Sequence, residues 1–309
     1  MKLLVTGAAG FIGSHIAEQW AREGAVVGID DLSTGDRANL DGIDCELVEG
    51  SILDAEALRT AMEGVDAVVH LAARPSVPRS IVDPVASHEA NATGTMRVLE
   101  AARATGRDPQ VIVASSSSVY GANPELPKHE GMMPMPVSPY AASKLATEQY
   151  ALAWQHSYAM STLAFRFFNV FGPRQAPGHA YAAVVPAFVA AALSDEPLIV
   201  HGDGIQSRDF TYVGTVTEVI LDAVRRRISH PHPVNLAFGT RVTLLEVVEL
   251  LESQLGTSVQ VEHAESRAGD VKHSQASNDT LRSLFPDVVP VPLDEGLAVT
   301  ITWMRRYLK

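Results

Sequence analysis

The sequence predicts an α/β protein built on a parallel sheet, and three features of its first half lead to this prediction. Short apolar runs of strand length alternate with helical patterns, which is typical of a sheet covered by helices on both faces. The run at 111–114 is continuously apolar, as a strand buried on both faces should be. A glycine-rich turn at 7–13 joins the first strand to the first helix. We therefore expect a Rossmann-like, doubly wound parallel sheet.

The elements of this sheet can be placed in chain order. The predicted strands are residues 2–6, 25–30, 44–49, 67–70, 110–115 and 161–166. The predicted helices between them are residues 11–23, 55–62, 81–104 and 139–156. Strand and helix are told apart here by the period at which apolar residues recur.

From about Asn169 onward the chain has a different pattern of predicted elements. Loops rich in glycine and proline alternate with short helices, predicted at 184–193, 213–225, 244–255 and 293–307. Residues 234–236 form an apolar run that we expect to return to the sheet. A length of 309 residues suggests two domains. We divide the chain into a first domain at 1–168, with a return segment near 210–237, and a smaller C-terminal α/β domain at 169–309.

Composition and charge argue against several kinds of protein. The formal net charge of −12 and the lack of a run rich in lysine or arginine argue against a nucleic-acid partner. The longest apolar-rich stretch, at 180–193, is interrupted by Pro186 and is shorter than the roughly 20 residues that span a bilayer. Cys45 is the only cysteine, so no intrachain disulfide can form and a reducing compartment is expected. Because Lys2 leads straight into the first strand and not into a signal peptide, we expect a cytoplasmic protein without a membrane partner.

The turn between the first strand and the first helix carries Gly7, Gly10 and Gly13. Glycines at such a turn allow a tight bend, a close approach of the backbone to phosphates and close packing of the helix on the strand. A dinucleotide pyrophosphate can then lie on the helix N-terminus. Taken alone, the motif could also be an ordinary turn.

The end of the second strand indicates which dinucleotide would bind. Asp30 and Asp31 stand there, just over 20 residues beyond the first glycine. A carboxylate at this place accepts hydrogen bonds from a ribose and repels a 2′-phosphate. Since no lysine or arginine follows before Arg37, the sequence favours NAD over NADP.

Tyr140 and Lys144 stand four residues apart and therefore share one face of the helix predicted at 139–156. A free phenol has a pKa of about 10 and is a poor base at neutral pH. The ammonium group of Lys144, together with a positively charged nicotinamide ring, would lower the pKa of the phenol. A serine run at 115–118 ends the preceding strand. Serines at such places often bond to backbone groups, which is how we interpret Ser115, while the role of Ser118 stays open.

Together and in this order, the glycine turn and the Tyr140–Lys144 pair resemble the short-chain dehydrogenase/reductase superfamily, and the likeness runs from end to end of the chain. In that superfamily the catalytic serine or threonine stands four residues before the tyrosine of a Val-Tyr-Gly motif, here at 119–121. The resemblance therefore implies Ser116, Tyr140 and Lys144 as catalytic residues, NAD as the cofactor and no metal. Ser116 would bond to the substrate hydroxyl and pass its proton to Tyr140.

The same resemblance implies the residues that hold the cofactor. They are Gly7, Gly10, Phe11, Ile12, Gly13, Asp30, Asp31, Ser33, Ser51, Ile52, Leu71, Ala72, Ala73 and Asn91, together with Tyr140 and Lys144. One position departs from the family, in which a carboxylate after the third strand usually contacts the adenine. This chain has Ser51 there, which could make a neutral hydrogen bond, followed by Ile52, which could pack on the ring.

The residues after the catalytic serine distinguish the reactions of the extended members of this superfamily, which act on nucleotide sugars. Sugar 4,6-dehydratases carry an Asp-Glu pair there, and decarboxylating members carry a glutamate two residues before the Val-Tyr-Gly tyrosine. This chain has Ser117 and Ser118 at those positions. Oxidation followed by return of the hydride is the chemistry that remains, and the chain resembles the UDP-hexose 4-epimerases.

This second resemblance continues into the C-terminal half. The segment at 167–175 fits the one whose asparagine touches the diphosphate, and 180–186 fits a stretch that lines the nucleotide pocket. The segments at 207–210 and 267–270 fit two phosphate-binding arginines, whose planar groups can hold phosphate oxygens bidentately. The implied substrate residues are Ser76, Ser116, Ser117, Asn169, Ala183, Val184, Arg208, Arg267 and Ser274. Residues 1–168 would then bind NAD, and 169–309 would be the substrate domain that binds the nucleotide sugar.

Ser274 bears on the size of the sugar. In the epimerases that this chain resembles, the position forms a wall of the sugar pocket, where a tyrosine goes with plain hexoses and a small residue with N-acetylated sugars. A phenol ring would fill the space that an acetamido group needs. We expect turnover of UDP-glucose and UDP-galactose and of their N-acetylated counterparts, unless Ser274 is only a surface serine.

Two other functions remain open from the sequence. A UDP-glucuronic acid 4-epimerase, or another nucleotide-sugar epimerase, would use the same residues. A non-catalytic NAD-sensing protein would not need Ser116, Tyr140 and Lys144, which argues against it. Related proteins pair through a four-helix bundle, so the resemblance also implies a homodimer to which the helices predicted at 81–104 and 139–156 contribute.

Overall fold

The computed structural model describes residues 1–177, 183–265 and 273–308. This part of the chain divides into two units, each with its own apolar core. Unit 1 comprises Met1–Asn123, Glu130–Phe167 and Thr217–Leu236. Unit 2 comprises the described residues of Pro124–His129, Phe168–Val216 and Ala237–Lys309.

The elements alternate between strand and helix along most of the described chain. The strands are β1 (Lys2–Thr6), β2 (Ala25–Asp30), β3 (Glu46–Glu49), β4 (Ala67–His70), β5 (Gln110–Ser116), β6 (Thr162–Phe167), β7 (Asn169–Phe171), β8 (Leu198–His201), β9 (Ser207–Arg208), β10 (Phe210–Tyr212), β11 (Val234–Leu236), β12 (Val242–Thr243) and β13 (Val261–Ala264). The α-helices are α1 (Phe11–Trp20), α2 (Ala55–Ala61), α3 (Val77–Val82), α4 (Pro84–His88), α5 (Gly94–Ala104), α6 (Pro139–Tyr158), α7 (Val184–Leu193), α8 (Val213–Arg225), α9 (Leu244–Leu255), α10 (Asp279–Leu284) and α11 (Leu293–Tyr307). None of the described helices has both the length and the apolarity needed to cross a bilayer.

Seven strands form one sheet in unit 1, in the order β11-β6-β5-β4-β1-β2-β3, and every neighbouring pair is parallel. The predicted doubly wound parallel sheet is confirmed, and β11 is the predicted return strand. The strand order reverses between β1 and β4, and such sheets bind ligands in the crevice outside the carboxyl ends at this point. Gly7 follows β1 and Leu71 follows β4, so both stand at that edge.

The core of unit 1 lies between the sheet and the helices α2, α5 and α6. Leu58 of α2 and Leu99 of α5 pack with Val68 of β4 and Val111 of β5, and all four are buried. Burying one such side chain fully stabilises a fold by about 1.5–3 kcal/mol. This core therefore fixes β4 and β5, whose carboxyl ends carry candidate site residues.

The helix predicted at 81–104 is interrupted, so that prediction is wrong in its N-terminal part. α3 and α4 are separate, and one turn of π-helix at Glu89–Thr93 leads into α5. A proline disfavours helical backbone at the residue before it, and Asp83, which precedes Pro84, has a φ of −140°. The Asp83 side chain accepts a hydrogen bond from the N–H of Ala86 at 3.1 Å and so caps α4.

The described residues of unit 2 form three two-stranded sheets. β10 pairs with β7 and β13 pairs with β8, both in parallel, whereas β12 pairs with β9 antiparallel. Its core is formed by side chains of α7, α9 and α11, among them Val189, Leu251 and Ile301. Phe210 of β10 belongs to the same core and stands two residues after the end of β9.

Candidate active site

The glycine turn after β1 is shaped by steric limits that only glycine meets. Gly7 has a φ of +71°, and a Cβ there would lie 2.8 Å from the backbone nitrogen of Ala72. A Cβ on Gly13 would lie 2.1 Å from the carbonyl oxygen of Gly7. Gly7 and Gly13 are therefore needed for the turn itself, whatever it binds.

The N-terminus of α1 can receive an anion. Gly10 is its N-cap, and among the described residues no side chain caps it. The first N–H groups of a helix have no partners within the helix, and the helix dipole places positive charge there. The N–H groups of Phe11 and Ile12 at this end are therefore suited to a pyrophosphate, and the cofactor fits the turn in this respect.

Asp30, at the end of β2, is tied to the glycine turn. It is 8% exposed, and its carboxylate accepts hydrogen bonds from the N–H of Ala9 and of Leu32, each at 2.9 Å. Burial raises the pKa of this carboxyl, and the two backbone bonds partly oppose that shift. Each oxygen of a carboxylate can accept a second hydrogen bond, so Asp30 can both shape the turn and receive a ribose hydroxyl.

The charged residues that follow Asp30 bear on which dinucleotide would bind. Asp31 is exposed and accepts from the N–H and the hydroxyl of Ser33, at 3.0 and 2.6 Å. Arg37, the first cation after β2, forms an ion pair with Glu49. Because Glu49 engages Arg37, the exposed carboxylate of Asp31 is the charge next to Asp30, which agrees with the preference for NAD over NADP.

Ser51 and Ile52, the residues after β3 that were predicted to contact the adenine, already contact other groups of the protein. The hydroxyl of Ser51 accepts a hydrogen bond from the N–H of Leu53 at 3.2 Å. Ile52 is 7% exposed and belongs to the core of unit 1. A Cβ on Gly94 would lie 2.4 Å from Ile52 Cδ1, so Ile52 packs closely against the start of α5.

The segment after β4 lies directly against the glycine turn. The N–H of Leu71 and the N–H of Ala72 both donate to the hydroxyl of Thr6, each at 3.1 Å. Leu71 also donates to the carbonyl oxygen of Thr6. The predicted cofactor residues Leu71, Ala72 and Ala73 therefore follow β4 directly beside the glycine turn, which follows the adjacent strand β1.

Asn91 and Ser76 have defined structural roles. Asn91 is buried in the π-helical turn, where its Oδ1 accepts from the N–H of Arg74 at 2.7 Å and its Nδ2 donates to Ser143 Oγ at 2.9 Å. Ser76 caps α3 by accepting from the N–H of Arg79 at 3.3 Å, with a φ of +103°. A positive φ is unusual for serine and often marks a functional position.

The three predicted catalytic residues meet at the end of β5. Ser116 and Tyr140 share a side-chain hydrogen bond, which opposes the rise that burial causes in the pKa of the phenol. Lys144 is 5% exposed, and its Nζ donates to the carbonyl oxygen of Ala114 at 2.8 Å. Burial lowers the pKa of Lys144 to about 8. α6 holds both residues, since Ser138 caps it and Pro139 occupies its first turn.

The other serines of the run prepare Ser116 for this contact. Ser118 donates to Ser116 Oγ from its hydroxyl at 2.9 Å and from its N–H at 3.2 Å. A hydroxyl has two acceptor lone pairs and one hydrogen, so Ser116 is left to donate that hydrogen to Tyr140. The interpretation of Ser115 is confirmed, because its hydroxyl bonds to the carbonyl oxygen of Lys144 at 3.1 Å and to Glu148. Ser117, half-buried, lies in the same short helical turn.

A buried ion pair beside Lys144 was not predicted. Arg166 of β6 binds Glu148 of α6 through two hydrogen bonds, of 3.0 and 2.7 Å, and the two side chains are 2% and 0% exposed. The guanidinium also stacks on the ring of Tyr120, whose hydroxyl donates to Asn235 at 2.6 Å. The sequence placed Glu148 four residues after Lys144, on the same helix face, but nothing local indicated Arg166 as its partner.

Asp209 was also missed, and it organises the proposed diphosphate residues of unit 2. It is fully buried and accepts from the N–H of Gly239 at 3.1 Å, the N–H of Ala276 at 3.0 Å and the hydroxyl of Thr240 at 2.9 Å. Its carbonyl oxygen accepts from the backbone and side-chain N–H groups of Asn169. Burial raises the pKa of the carboxyl to about 6. These bonds hold Asn169, at the start of β7, beside Asp209, and Arg208 is the residue before Asp209.

The remaining predicted substrate residues are placed as follows. Arg208 is half-buried and donates to the carbonyl oxygen of Ser207 at 3.0 Å. Ser274 is half-buried and donates its N–H to the same carbonyl oxygen at 3.0 Å. Ala183 is exposed and Val184 begins α7. Arg267 lies outside the described residues.

Comparison with known proteins supports the resemblance to nucleotide-sugar epimerases over nearly the whole chain. A sequence profile of the NAD dependent epimerase/dehydratase family matches residues 3–237. A UDP-glucose 4-epimerase of Mycolicibacterium smegmatis is 35% identical over 311 aligned positions, covering 99% of each chain.

Two solved structures extend this likeness. A UDP-N-acetylglucosamine 4-epimerase from Methanobrevibacter ruminantium, solved with UDP-N-acetylmuramic acid, is 34% identical with a TM-score of 0.93, covering 99% of this chain and 98% of that one. A UDP-glucuronic acid 4-epimerase from Bacillus cereus, solved with UDP-glucuronic acid and NAD, is 29% identical with a TM-score of 0.90, covering 99% and 100%. The protein therefore belongs to the NAD dependent epimerase/dehydratase family, as an NAD-dependent enzyme whose relatives are UDP-sugar 4-epimerases.

Proposed function

We propose that the protein is a UDP-hexose 4-epimerase that interconverts UDP-glucose and UDP-galactose, and also UDP-N-acetylglucosamine and UDP-N-acetylgalactosamine. The observation that carries this proposal is the cluster of Ser116, Tyr140 and Lys144 at the carboxyl end of β5. Such a cluster can take a proton from a sugar hydroxyl and give it back. UDP-sugar 4-epimerases among the relatives name the substrate class.

NAD is the cofactor, and when bound it supplies an acceptor that takes the C4 hydride and later returns it. The residues that would hold it are those of the glycine turn, Asp30, the segment at 71–73 and Asn91. Gly7 and the N-terminus of α1 would receive the pyrophosphate, because N–H groups and the helix dipole favour an anion there. Asp30 would receive a ribose hydroxyl.

Tyr140 acts as the base in this proposal. The pKa of Lys144, about 8, lies above neutral pH, so its amine stays mostly protonated at pH 7. A positive charge on the same helix face favours the phenolate of Tyr140, and the hydrogen that Ser116 donates favours it further. As the 4-hydroxyl of the sugar gives its proton to Tyr140, the hydrogen of Ser116 would turn from the phenol oxygen to the sugar oxygen. Positioned proton transfer of this kind contributes roughly 10²–10⁴-fold to a rate.

We infer an epimerisation because the two positions after Ser116 carry no carboxylate. Elimination of water would need an Asp-Glu pair there, and Ser117 and Ser118 occupy those positions. The keto sugar would turn in the site, receive the hydride on its other face, and regain a proton from Tyr140. Rate enhancement then comes from positioning and from the tuned phenol.

The nucleotide end of the substrate would be held by unit 2. Asn169 bonds to the carbonyl oxygen of Asp209, the residue after Arg208, and Arg208 with Arg267 would bind the diphosphate as charge-assisted pairs. Ala183 and Val184 would line the nucleotide, while Ser76 and Ser117 would contact the sugar. Ser274, a small half-buried residue, leaves room for an acetamido group. Exchange for tyrosine, Ser274→Tyr, should suppress turnover of the N-acetylated pair and spare the plain pair.

A UDP-glucuronic acid 4-epimerase is the second candidate, since the Bacillus cereus relative binds UDP-glucuronic acid. A panel of UDP-sugars, incubated with the purified NAD-loaded protein and resolved by chromatography, separates the candidates. We expect interconversion of the two hexose pairs. Turnover of UDP-glucuronic acid alone would select the second candidate. Bound NAD without any turnover or NADH absorbance would indicate a sensing protein.

We also propose that the enzyme is a cytoplasmic homodimer. A groove of about 790 Å³ is lined by residues of α2, α5 and α6, among them Met96, Ala101 and Trp154. A second copy would cover this surface with its own α5 and α6, which lie in the two helical segments that the sequence predicts to pair. Light scattering during size exclusion should give twice the chain mass of 33.1 kDa. A mass of one chain at micromolar concentration would contradict the dimer.

A further inference from the structure

A chain of buried hydrogen bonds within unit 1 links the glycine turn to the catalytic helix. It begins at Thr6, the residue before Gly7, and ends at Tyr140. Its intermediate members are His70, Thr95, Asn91 and Ser143, and each of these side chains and that of Thr6 is at most 3% exposed. Neither the cofactor motif nor the catalytic motif of the sequence includes His70.

The first bond of the chain has a fixed direction. Thr6 Oγ1 accepts hydrogen bonds from the N–H of Leu71 and of Ala72, which occupy its two lone pairs. Its single hydrogen is left for His70 Nδ1, which lies 2.7 Å away. Nδ1 of His70 must therefore be an acceptor and carries no hydrogen.

The imidazole then donates on its other side. Burial and the charge of Lys144 lower the pKa of His70 to about 3, so the ring is neutral at physiological pH. A neutral ring with a bare Nδ1 carries its hydrogen on Nε2. Nε2 lies 3.0 Å from Thr95 Oγ1, which in turn donates to the carbonyl oxygen of Asn91 at 2.6 Å. His70 thus accepts from the turn and donates toward the helices.

Asn91 passes the chain on to α6. Its Nδ2 donates to Ser143 Oγ at 2.9 Å, and Ser143 Oγ donates to the carbonyl oxygen of Tyr140 at 2.8 Å. Every bond donates in the same sense, from the segment at 71–72 to the catalytic tyrosine. The groups that would hold the cofactor and the residue that would take the proton are therefore joined by one set of buried bonds.

We propose that His70 is a positioning residue, whose Nε2–H tautomer holds the glycine turn and the segment at 71–73 in register with Tyr140. His70 transfers no proton in this role. It fixes the distance between the cofactor-binding segments and Tyr140. The hydride leaves the sugar carbon toward the first and the proton leaves the attached oxygen toward the second, so a small error in this distance slows the reaction strongly. Its catalytic consequence rests on the function proposed above, whereas the tautomer and its effect on NAD binding do not.

The tautomer can be measured without any substrate. Protein labelled with ¹⁵N-histidine and purified with NAD is examined by NMR at pH 7, and the His70 signals are identified by their loss in His70→Asn. We expect Nε2 with an attached hydrogen and Nδ1 without one. The Nδ1–H tautomer, or a doubly protonated ring, would overturn the proposal even if the protein turns over no UDP-sugar.

The positioning role is tested by breaking the chain on either side of His70. Thr6→Val and Thr95→Val keep the side-chain shape and remove one hydroxyl each. We expect each to weaken NAD binding and to lower kcat at least tenfold, with KM for the UDP-sugar changed less than threefold. The double variant should be no worse in kcat than the poorer single variant, since a chain broken once is already broken.

Thr162→Val is the matched control. Thr162 is fully buried in unit 1 and donates to the carbonyl oxygen of Ala151 at 3.0 Å, outside the chain from Thr6 to Tyr140. It should lose thermal stability like the other variants but keep its kcat and its NAD. Losses that multiply in the double variant, or an equal loss of kcat in Thr162→Val, would overturn the proposal. If Thr6→Val does not fold, Thr95→Val and His70→Asn make the same comparison.

Discussion

The buried polar groups around Tyr140 in unit 1 differ in kind from those around Arg208 in unit 2. In unit 1, hydroxyls and a neutral imidazole form directional bonds, and the hydrogens of Thr6, His70 and Ser118 each have one assigned acceptor. In unit 2, the carboxylate of Asp209 collects neutral donors from three positions in the sequence. The directional bonds of unit 1 suit a site in which a proton is transferred. The bonds of Asp209 suit a loop that only has to be held in one conformation.

This difference separates the expected effects of mutation. Changes in unit 1 should lower kcat, because they disturb atoms that react. Changes in unit 2 should raise KM, because they disturb groups that bind the part of the substrate that does not react. The predictions below test this separation, beginning with the largest effect.

Tyr140→Phe should lower kcat by about 10²–10⁴-fold, because only the group that transfers the proton is lost. Steady-state kinetics with UDP-galactose measures the change. NAD content and the affinity for the UDP-sugar, measured by calorimetry, should stay near those of the parent protein. Activity within a factor of ten of the parent would exclude Tyr140 as the base.

Glu148→Gln should destabilise the protein by about 3–5 kcal/mol, because the charge of Arg166 would remain buried without its partner. Urea unfolding followed by circular dichroism measures the loss. Glu100→Gln is the control, since Glu100 and Arg103 form a pair on α5 in which both side chains are more than two-fifths exposed. That change should cost at most about 0.5 kcal/mol. Equal losses of unfolding free energy in the two variants would contradict the claim that breaking a buried ion pair costs more than breaking an exposed one.

Asp209→Asn should change how stability depends on pH. The pKa of Asp209 is about 6 when folded, above its value of roughly 3.9 in the unfolded chain. The stability that this group contributes is therefore present at low pH and lost as the pH rises through 6. Relative to the variant, the parent should lose on the order of 2 kcal/mol of unfolding free energy between about pH 4.5 and pH 7. If the unfolding free energies of the two proteins depend on pH in the same way, the pKa of Asp209 is not raised.

Arg208→Ala should raise KM for the UDP-sugar by about tenfold or more and change kcat less than threefold, because a charge-assisted hydrogen bond to the diphosphate is lost. Arg282→Ala is the control, since Arg282 stacks on Phe238 in the same unit and is not among the proposed phosphate residues. It should leave KM unchanged. A collapse of kcat with an unchanged KM in Arg208→Ala would break the separation between the two units.

The parts of the structure that the sequence predicted well are those set by local rules. Continuous apolar runs predict buried parallel strands, and the spacing of Tyr140 and Lys144 places them on one helix face whatever surrounds them. The break before α4 was also local, because an aspartate followed by Pro84 is a helix start. The prediction of one long helix there gave too little weight to that signal.

The parts that the sequence did not predict depend on contacts between distant residues. Glu148 and Arg166 are 18 residues apart on different elements, and Asp209 binds the N–H of Ala276 from 67 residues away. No periodicity encodes such pairs, since the sheet register decides which side chains meet. The direction of the bonds around Ser116 and His70 likewise appears only when every donor and acceptor has been placed.

The central claim is that the C4 hydride leaves the sugar and returns to the same carbon while Tyr140 moves the proton. UDP-glucose deuterated at C4, incubated with the NAD-loaded protein in ordinary water, tests it directly by mass spectrometry and NMR of the product. The account predicts UDP-galactose that keeps its deuterium at C4, and no uptake of deuterium at C4 when unlabelled substrate reacts in D₂O. Loss of the label to water, or a product that has lost the mass of a water molecule, would contradict it.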